Sequence, residues 1–297
     1  MGDRRKSLTN AWAIYLVWMG VCSLFFWRFL AVLIRYALNN DDASHILLIP
    51  FIAAWLIYSD RTKISNIPTF DFLPALPFAF PAVLLWVCSP WSTSLLPGFS
   101  IPVRALSLVL FLVAGFIFVF GRSSARATWF SLTFLVFLIP LPEIWLNRAI
   151  YLLQYGSAAV AGWIFDLAGV PALRQGFVFQ LPGFTIEVAQ ECSGIRSSTA
   201  LLILALLVAH FAFAKCWKKV VFVVTGLLMT VIKNGVRIAI LSILARYVDP
   251  DFLYGKLHHR GGVVFFVIGL ALLVPVYGLL RRGETSRPGT QGSAAAG

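Results

Sequence analysis

Charged residues are scarce in this sequence. Only 12% of the 297 residues are Asp, Glu, Lys or Arg, whereas about 25% of the residues of soluble domains are charged. Hydrophobic residues make up 60% of the chain, and the mean hydropathy is +0.86. Aromatic residues, at 15%, are too frequent for a disordered chain. The composition therefore excludes a soluble enzyme and indicates a protein that spans a membrane.

Acidic residues are the rarer of the two charge types, with 12 Asp and Glu against 24 Lys and Arg. In a soluble protein this excess of positive charge would indicate nucleic-acid binding. Here the basic residues lie in short loops between apolar runs, where they set the orientation of membrane helices. We therefore expect membrane lipids and no nucleic acid as partners.

Cysteine is also rare, with four residues, Cys22, Cys88, Cys192 and Cys216. No C-x-x-C pair and no Cys/His ligand spacing occurs among them, so we expect neither a disulfide scaffold nor a metal or other cofactor. The first apolar run lacks a small-residue cleavage site at its end, and we interpret it as a spanning anchor rather than a signal peptide.

Long apolar runs dominate the chain. Eight of them are interpreted as transmembrane helices: residues 11–36, 45–58, 72–89, 102–121, 127–142, 196–214, 219–247 and 262–281. A ninth run, 146–169, is interrupted by polar residues such as Asn147, Gln154 and Ser157, which is typical of an amphipathic helix at the membrane interface. The expected fold is an all-α polytopic membrane protein with about eight transmembrane helices and one interfacial helix.

The basic clusters predict the orientation of these helices. They lie at residues 4–6, 61–63, 122–126, 215–219 and 281–287. If 146–169 lies flat on the outer surface, all five clusters are cytoplasmic; if it spans the membrane, the last two clusters fall outside. We prefer the first arrangement, in which both termini are cytoplasmic and Cys192 is extracytoplasmic.

Two further segments differ from the apolar runs. Residues 177–190 contain two β-prone stretches around Pro182-Gly183, which predict a small extracytoplasmic β-hairpin. The end of the chain is rich in Gly, Ser and Ala. We therefore expect a cytoplasmic N-terminal segment at 1–10, a single transmembrane domain at 11–282 and a disordered cytoplasmic tail at 283–297.

Cys192 begins the stretch Cys-Ser-Gly-Ile-Arg, immediately before a long apolar helix. The positive end of the helix dipole and the nearby Arg196 both favour a thiolate, which would be a competent nucleophile. Ser193 or Ser197 could cap the first amides of the helix. The alternative is that Cys192 is a small buried hydrophobic residue, which is our interpretation of the other three cysteines.

Arg237 lies within a predicted span, where a charge is energetically costly. The rise of the helix places it at about the depth of Cys192, and Asn234 lies one turn earlier on the same face. Both side chains could therefore face the interior of the helix bundle. The alternative is that Arg237 extends to the outer headgroups, although Lys233 is better placed to do so.

His258 and His259 lie before the last predicted span, where an acid or base active at neutral pH could act. The alternatives are solvated loop histidines and a weak metal-binding pair. A thiol, a guanidinium and an imidazole on one membrane face could carry out acyl transfer. Serine chemistry is less favoured, because no serine has a comparable base nearby.

These motifs resemble those of the exosortase/archaeosortase family. The family is identified by a Cys-Ser-Gly-Ile-Arg element, here residues 192–196, an Asn-x-x-Arg element, here 234–237, and a histidine before the last helix, here in 258–262. Residues 42–45, Asp-Ala-Ser-His, are similar to the family's N-terminal Ser-His region. The resemblance covers roughly residues 40–281.

The resemblance implies roles for the site residues. Cys192 would be the nucleophile, Arg237 would stabilise the oxyanion or orient the substrate, and His258 would be the acid and base. Because the histidine is doubled, His258 and His259 both remain candidates for this last role. Supporting or substrate-binding roles are expected for Glu187, Arg196, Asn234 and His259.

The resemblance also implies a substrate and a location. Family members cleave membrane-tethered proteins at C-terminal sorting signals, made of a motif such as Pro-Glu-Pro, a transmembrane helix and a basic tail. The reaction occurs outside the prokaryotic cytoplasmic membrane and is often linked to exopolysaccharide production. The acyl group would pass to water or to a lipid or polysaccharide acceptor.

Three other functions are compatible with parts of the sequence. A transporter would use Asn234 and Arg237 along a substrate path. A non-catalytic assembly factor for polysaccharide export would bind a partner through the same motifs. An enzyme of lipid-linked sugars would need a metal-binding or paired acidic motif, which the sequence lacks.

Overall fold

The structure is a computed structural model that describes residues 2–64, 68–95, 98–249 and 256–282. Within these ranges, side chains are described except at 2–10, 90–95, 191–192 and 256–263. The described residues are mostly helical, with one small sheet. The predicted disordered tail at 283–297 lies outside them.

The described part of the chain forms ten α-helices. In chain order they are α1 (Gly2–Phe25), α2 (Trp27–Asn39), α3 (Ile49–Ser59), α4 (Phe72–Leu95), α5 (Ser100–Ala127), α6 (Trp129–Thr133), α7 (Glu143–Leu167), α8 (Ile195–Ala212), α9 (Cys216–Tyr247) and α10 (Lys256–Arg281). Short 3-10 helices occur at Asp41–Leu47, Arg61–Lys63, Phe134–Leu138 and Gln190–Ser193.

Six helical segments are long and apolar enough to cross a membrane: Asp41–Ser59, Phe72–Ser89, Ser100–Ala127, Ile195–Ala212, Cys216–Tyr247 and Val264–Arg281. Two bent pairs pass the same test, Ala11–Phe25 with Trp27–Asn39 and Trp129–Leu138 with Glu143–Leu167. A multi-pass membrane protein with six to eight candidate spans is therefore confirmed, and the number of eight stays a prediction.

The first predicted span, 11–36, is not one straight helix. Its two halves, α1 and α2, meet at Phe26 with a bend of 78°. Neither proline nor glycine marks this position. Instead, the buried Phe26 ring packs on the rings of Trp86 and Phe111, at centroid distances of 4.5 and 5.6 Å. Aromatic packing therefore accompanies the bend.

The predicted span at 127–142 is also not a straight transmembrane helix. Here α6 and a 3-10 helix end at Leu138, and the chain turns by 93° before α7. The cause is the sequence Ile-Pro-Leu-Pro at 139–142: Ile139, which precedes Pro140, is extended, as residues before proline prefer.

The contacts divide the chain into two units, Met1–Arg148 and Ala149–Gly297. The boundary falls within α7, and the single transmembrane domain stays a prediction. In the first unit α1 and α4 both pack on α5. The Trp18 indole of α1 donates to the Phe111 carbonyl of α5 at 3.1 Å, and it lies where Gly115 leaves space for it.

The second unit contains a three-stranded antiparallel sheet. It consists of β1 (Leu173–Gln175), β2 (Val178–Leu181) and β3 (Phe184–Glu187), in the order β1-β2-β3. The predicted hairpin around Pro182-Gly183 corresponds to β2 and β3, and β1 adds a third strand. The membrane side on which the sheet lies stays a prediction.

The sheet packs against α7. The buried ring of Phe179 in β2 lies 5.3 Å from that of Phe165 in α7. On the same helix Gln154 and Ser157 are buried, although the interpretation of an interfacial helix had them on its polar face. They are inward-facing because each has a hydrogen-bond partner there, the Val188 carbonyl and Asn234 respectively.

Helices α8, α9 and α10 pack together around an apolar core that includes Leu201, Phe222 and Leu273. Lys218 near the start of α9 is only 5% exposed, and its ammonium donates to the Leu280 carbonyl of α10 at 2.6 Å. The three helices that carry the sequence motifs therefore form one packed group.

Candidate functional site

Cys192 lies in the 3-10 helix Gln190–Ser193, directly before α8. The chain that leads to it is held at Val188, whose carbonyl accepts from Gln154 Nε2 at 2.8 Å and whose amide donates to the Phe177 carbonyl at 2.9 Å. Its own side chain lies outside the described residues, so its role as nucleophile stays a prediction.

Gly194 forms the turn between Cys192 and α8. Its φ of 74° and ψ of 18° are in the left-handed region, which glycine adopts without a steric penalty. After the turn, the Ile195 amide donates to Ser193 Oγ over 3.4 Å. The expected capping role therefore applies to Ser193, whereas Ser197 Oγ donates to the Gly194 carbonyl instead.

The turn lies against α9. A Cβ atom added at Gly194 would be 3.2 Å from Asn234 Oδ1 and 3.3 Å from Asn234 Cγ. The glycine of the Cys-Ser-Gly-Ile-Arg element thus touches the asparagine of the Asn-x-x-Arg element. Two motifs that lie 40 residues apart in sequence are neighbours in the structure.

Asn234 is held firmly in this position. It is 2% exposed, and its Nδ2 donates to Ser157 Oγ of α7 at 3.1 Å. The next residue, Gly235, lets α7 and α9 approach, because a Cβ there would be 2.5 Å from Val160 Cβ and 2.8 Å from the Ser157 carbonyl oxygen. The expectation that the Asn234 side chain faces the interior of the helix bundle is confirmed.

Lys233 is a residue that the sequence analysis missed. We expected it to extend to the headgroups, but it is 5% exposed and its Nζ donates to Ser197 Oγ of α8 at 2.5 Å. That expectation was therefore wrong. The signal that could have revealed Lys233 is its position within a span, where a charged residue usually has a function.

The Gly194 carbonyl is the end point of a chain of hydrogen bonds. It accepts from Ser197 Oγ, from Ser198 Oγ and from the Ser198 amide, each at 2.9 Å. Through Ser197, the chain begins at the Lys233 ammonium. The backbone two residues after Cys192 is thus linked to a buried cation.

His258 and His259 lie in the first turn of α10, and their side chains lie outside the described residues. Farther along α10, a Cβ at Gly269 would be 3.4 Å from Lys233 Cδ, so this helix passes directly over Lys233. About 16 Å of helix rise separates Gly269 from His258. The pairing of either histidine with Cys192 stays a prediction.

Three other predicted site residues lie in α9, α8 and β3. Arg237 is partly exposed, one turn after Lys233 on α9, and Arg196 is exposed in the first turn of α8. Glu187 is exposed at the end of β3, opposite Val178 of β2. Their roles stay predictions.

Two cavities lie elsewhere. A groove of about 950 Å³ in the first unit lies between α4, α5 and the segment after α5, with Arg122 and Arg126 in its lining. A smaller apolar cavity of about 260 Å³ lies between α8, α9 and α10. Among the predicted site residues whose side chains the structure describes, none lines either cavity. Among the described side chains, no three His, Cys, Asp or Glu residues are grouped to hold a metal ion.

Several long apolar helices with polar side chains buried between them define a polytopic membrane protein. The chain belongs to the transmembrane exosortase family (Exosortase_EpsH), whose family model matches residues 37–275. The resemblance given by the sequence motifs is thereby confirmed. No curated protein and no solved structure matches the chain.

Proposed function

We propose that the chain is a membrane cysteine protease and transpeptidase that cleaves C-terminal sorting signals of exported proteins. Membership of the exosortase family supports the protease class. The observation that carries the proposal is the contact between Gly194 and Asn234, because it brings the proposed nucleophile segment and the Asn-x-x-Arg element to one place.

In the proposed reaction, the Cys192 thiol passes its proton to His258 as Sγ attacks the carbonyl carbon of the scissile peptide bond. Arg237 stabilises the resulting oxyanion or orients the substrate, and His258 gives a proton to the departing amine. The C–N bond breaks, which leaves a thioester on Cys192 and a free amine on the C-terminal fragment. Glu187, Arg196, Asn234 and His259 support the site.

The second half of the reaction releases the enzyme. Water, or a hydroxyl or amine of a lipid or polysaccharide acceptor, attacks the thioester carbon and gives its proton to His258. The C–S bond breaks, and His258 passes that proton to the departing sulfur, which restores the Cys192 thiol. No metal and no organic cofactor takes part in this scheme. The substrate is itself membrane-tethered, so it would enter laterally, with its cleavage motif outside and its basic tail inside the cytoplasmic membrane.

The first experiment compares wild type with Cys192→Ala in membranes that contain a tagged protein with a Pro-Glu-Pro-type sorting signal. We expect wild type to cleave it and Cys192→Ala to lose cleavage at equal abundance, measured by gel shift and intact mass. The matched control is Cys88→Ala, which removes an exposed thiol far along the chain from the motif and should cleave normally.

The product mass distinguishes hydrolysis, which adds water, from transfer, which adds an acceptor. Cleavage by both wild type and Cys192→Ala would exclude Cys192 as the nucleophile. Unchanged biological function in Cys192→Ser, without any cleavage by wild type, would favour the assembly factor, and ligand counterflow in liposomes would favour the transporter.

A further inference from the structure

Lys233 carries a buried ammonium in the second unit. A buried cation is costly unless it is paired or hydrogen-bonded. Lys233 carries this cost in the middle of α9, a helix that also has an equally buried lysine, Lys218, near its start. Lys218 donates to carbonyl oxygens at the C-terminus of α10, where a cation stabilises the helix end. No helix end explains the position of Lys233.

The hydrogen bonds of Lys233 lead instead to the segment that carries Cys192. Its ammonium donates to Ser197 Oγ, and the Ser197 hydroxyl donates to the Gly194 carbonyl. All the donors point in one direction, so each bond polarises the next and the chain is stronger than its separate parts. The end point is the left-handed turn that determines where the preceding Cys192-Ser193 backbone lies.

We propose that Lys233 is a positioning residue that acts through Ser197 to hold the Gly194 turn, and with it Cys192, in the reactive arrangement. The inference rests on the proposed function, since it concerns the nucleophile of that reaction. Lys233 touches Ser197 and makes no contact with reacting atoms in this role. Its positive charge, which is linked to the turn through the Ser197 hydroxyl, also favours the thiolate form of Cys192.

The test uses a chain in which Cys22, Cys88 and Cys216 are alanine, so that Cys192 is the only thiol. Two variants interrupt the chain of hydrogen bonds at different points: Lys233→Met removes the ammonium and keeps most of the stem, and Ser197→Ala removes the relay. Ser197→Thr is the conservative variant that keeps the hydroxyl. If Lys233→Met fails to accumulate, Ser197→Ala still tests the proposal, because it deletes a single oxygen.

The structure offers two matched controls. Lys218→Met removes an equally buried ammonium from the same helix. Ser198→Ala removes a second hydroxyl that donates to the same Gly194 carbonyl but, among the described residues, accepts no hydrogen bond from a lysine. A merely structural effect would appear in the controls as well as in the test variants.

We expect Lys233→Met and Ser197→Ala to lower kcat by about ten- to a hundred-fold, with KM changed far less, because a misplaced nucleophile loses rate rather than binding. Alkylation of Cys192 should slow, and its pH profile should move to higher pH. The double variant should be no worse than either single variant, since the two residues act as a unit. Ser197→Thr should recover most of the rate, and both controls should resemble wild type.

Three results would overturn the proposal: wild-type alkylation in Lys233→Met, additive losses in the double variant, or an equal loss in Lys218→Met. A Cys192→Ala variant that cleaves while Ser197→Ala does not would make Ser197 and Lys233 a catalytic pair and would overturn the proposed function as well. If wild type cleaves no substrate but the alkylation differences appear, the positioning role stands and the proposed function fails.

Discussion

At the scale of single residues, sequence patterns predict only some of the contacts that form the candidate site. The Asn-x-x-Arg element predicted an inward-facing Asn234, and the motif glycine has a physical reason in the left-handed turn at Gly194. The partners of Lys233 could not be predicted, because Ser197 lies 36 residues away and only the packing of α8 on α9 brings the two together. The protease roles of Cys192 and His258 stay predictions.

Gly194 provides the most direct residue-scale prediction. Gly194→Ala should lower stability, because a non-glycine residue in the left-handed region costs about 1–2 kcal/mol and the new methyl group would press on Asn234 Oδ1. We expect a lower thermal midpoint in detergent and a loss of cleavage. Gly278→Ala is the control: it lies in open space on α10 and should leave both unchanged. A wild-type midpoint and wild-type cleavage in Gly194→Ala would show that the turn is not essential.

At the scale of helices and strands, the apolar runs predicted most of the elements. Helices α4, α8 and α9 lie where the runs predicted them, and β2 and β3 form the predicted hairpin. The bend after α6 could have been predicted from Pro140 and Pro142. The bend at Phe26 could not, because no helix-breaking residue marks it and it is accompanied by ring packing with distant residues. Strand β1 has only three residues, too few for a visible alternation.

The close approach of α7 and α9 is an element-scale feature that can be tested. Gly235→Ala places a methyl group 2.8 Å from the Ser157 carbonyl oxygen, and overpacking of this kind typically costs about 1–3 kcal/mol. We expect the helices to move apart, the bond between Asn234 and Ser157 to lengthen and cleavage to fall, with a lower thermal midpoint.

Gly226→Ala is the matched control on α9. Its new methyl group would meet Ala205 Cβ at 3.4 Å, a distance that small adjustments can accommodate. Gly226→Ala should therefore keep the midpoint and the cleavage rate of wild type. If the two variants behave alike, the helix approach at Gly235 does not position Asn234.

At the scale of the whole molecule, the question is which membrane face carries the site. The proposed chemistry requires the extracytoplasmic face, and that orientation depends on whether α7 crosses the bilayer. With 25 residues, α7 has a length of about 38 Å, enough to cross a hydrocarbon core of about 30 Å. Length therefore does not decide between a surface helix and a span. The cationic residues favour a surface helix, because only then do all five basic clusters lie inside.

Cys216 can decide this, because it is exposed at the start of α9 and lies after α7 in the chain. With Cys22, Cys88 and Cys192 replaced by alanine, a membrane-impermeant maleimide should label Cys216 only after the cells are permeabilised. In a cysteine-free chain, Asn39→Cys should be labelled in intact cells and Ser123→Cys only after permeabilisation, whether or not α7 crosses. Labelling of Cys216 in intact cells would mean that α7 spans the membrane. Cys192 would then face the cytoplasm, where an exported substrate carries its basic tail rather than its cleavage motif, and the proposed extracytoplasmic protease would be wrong.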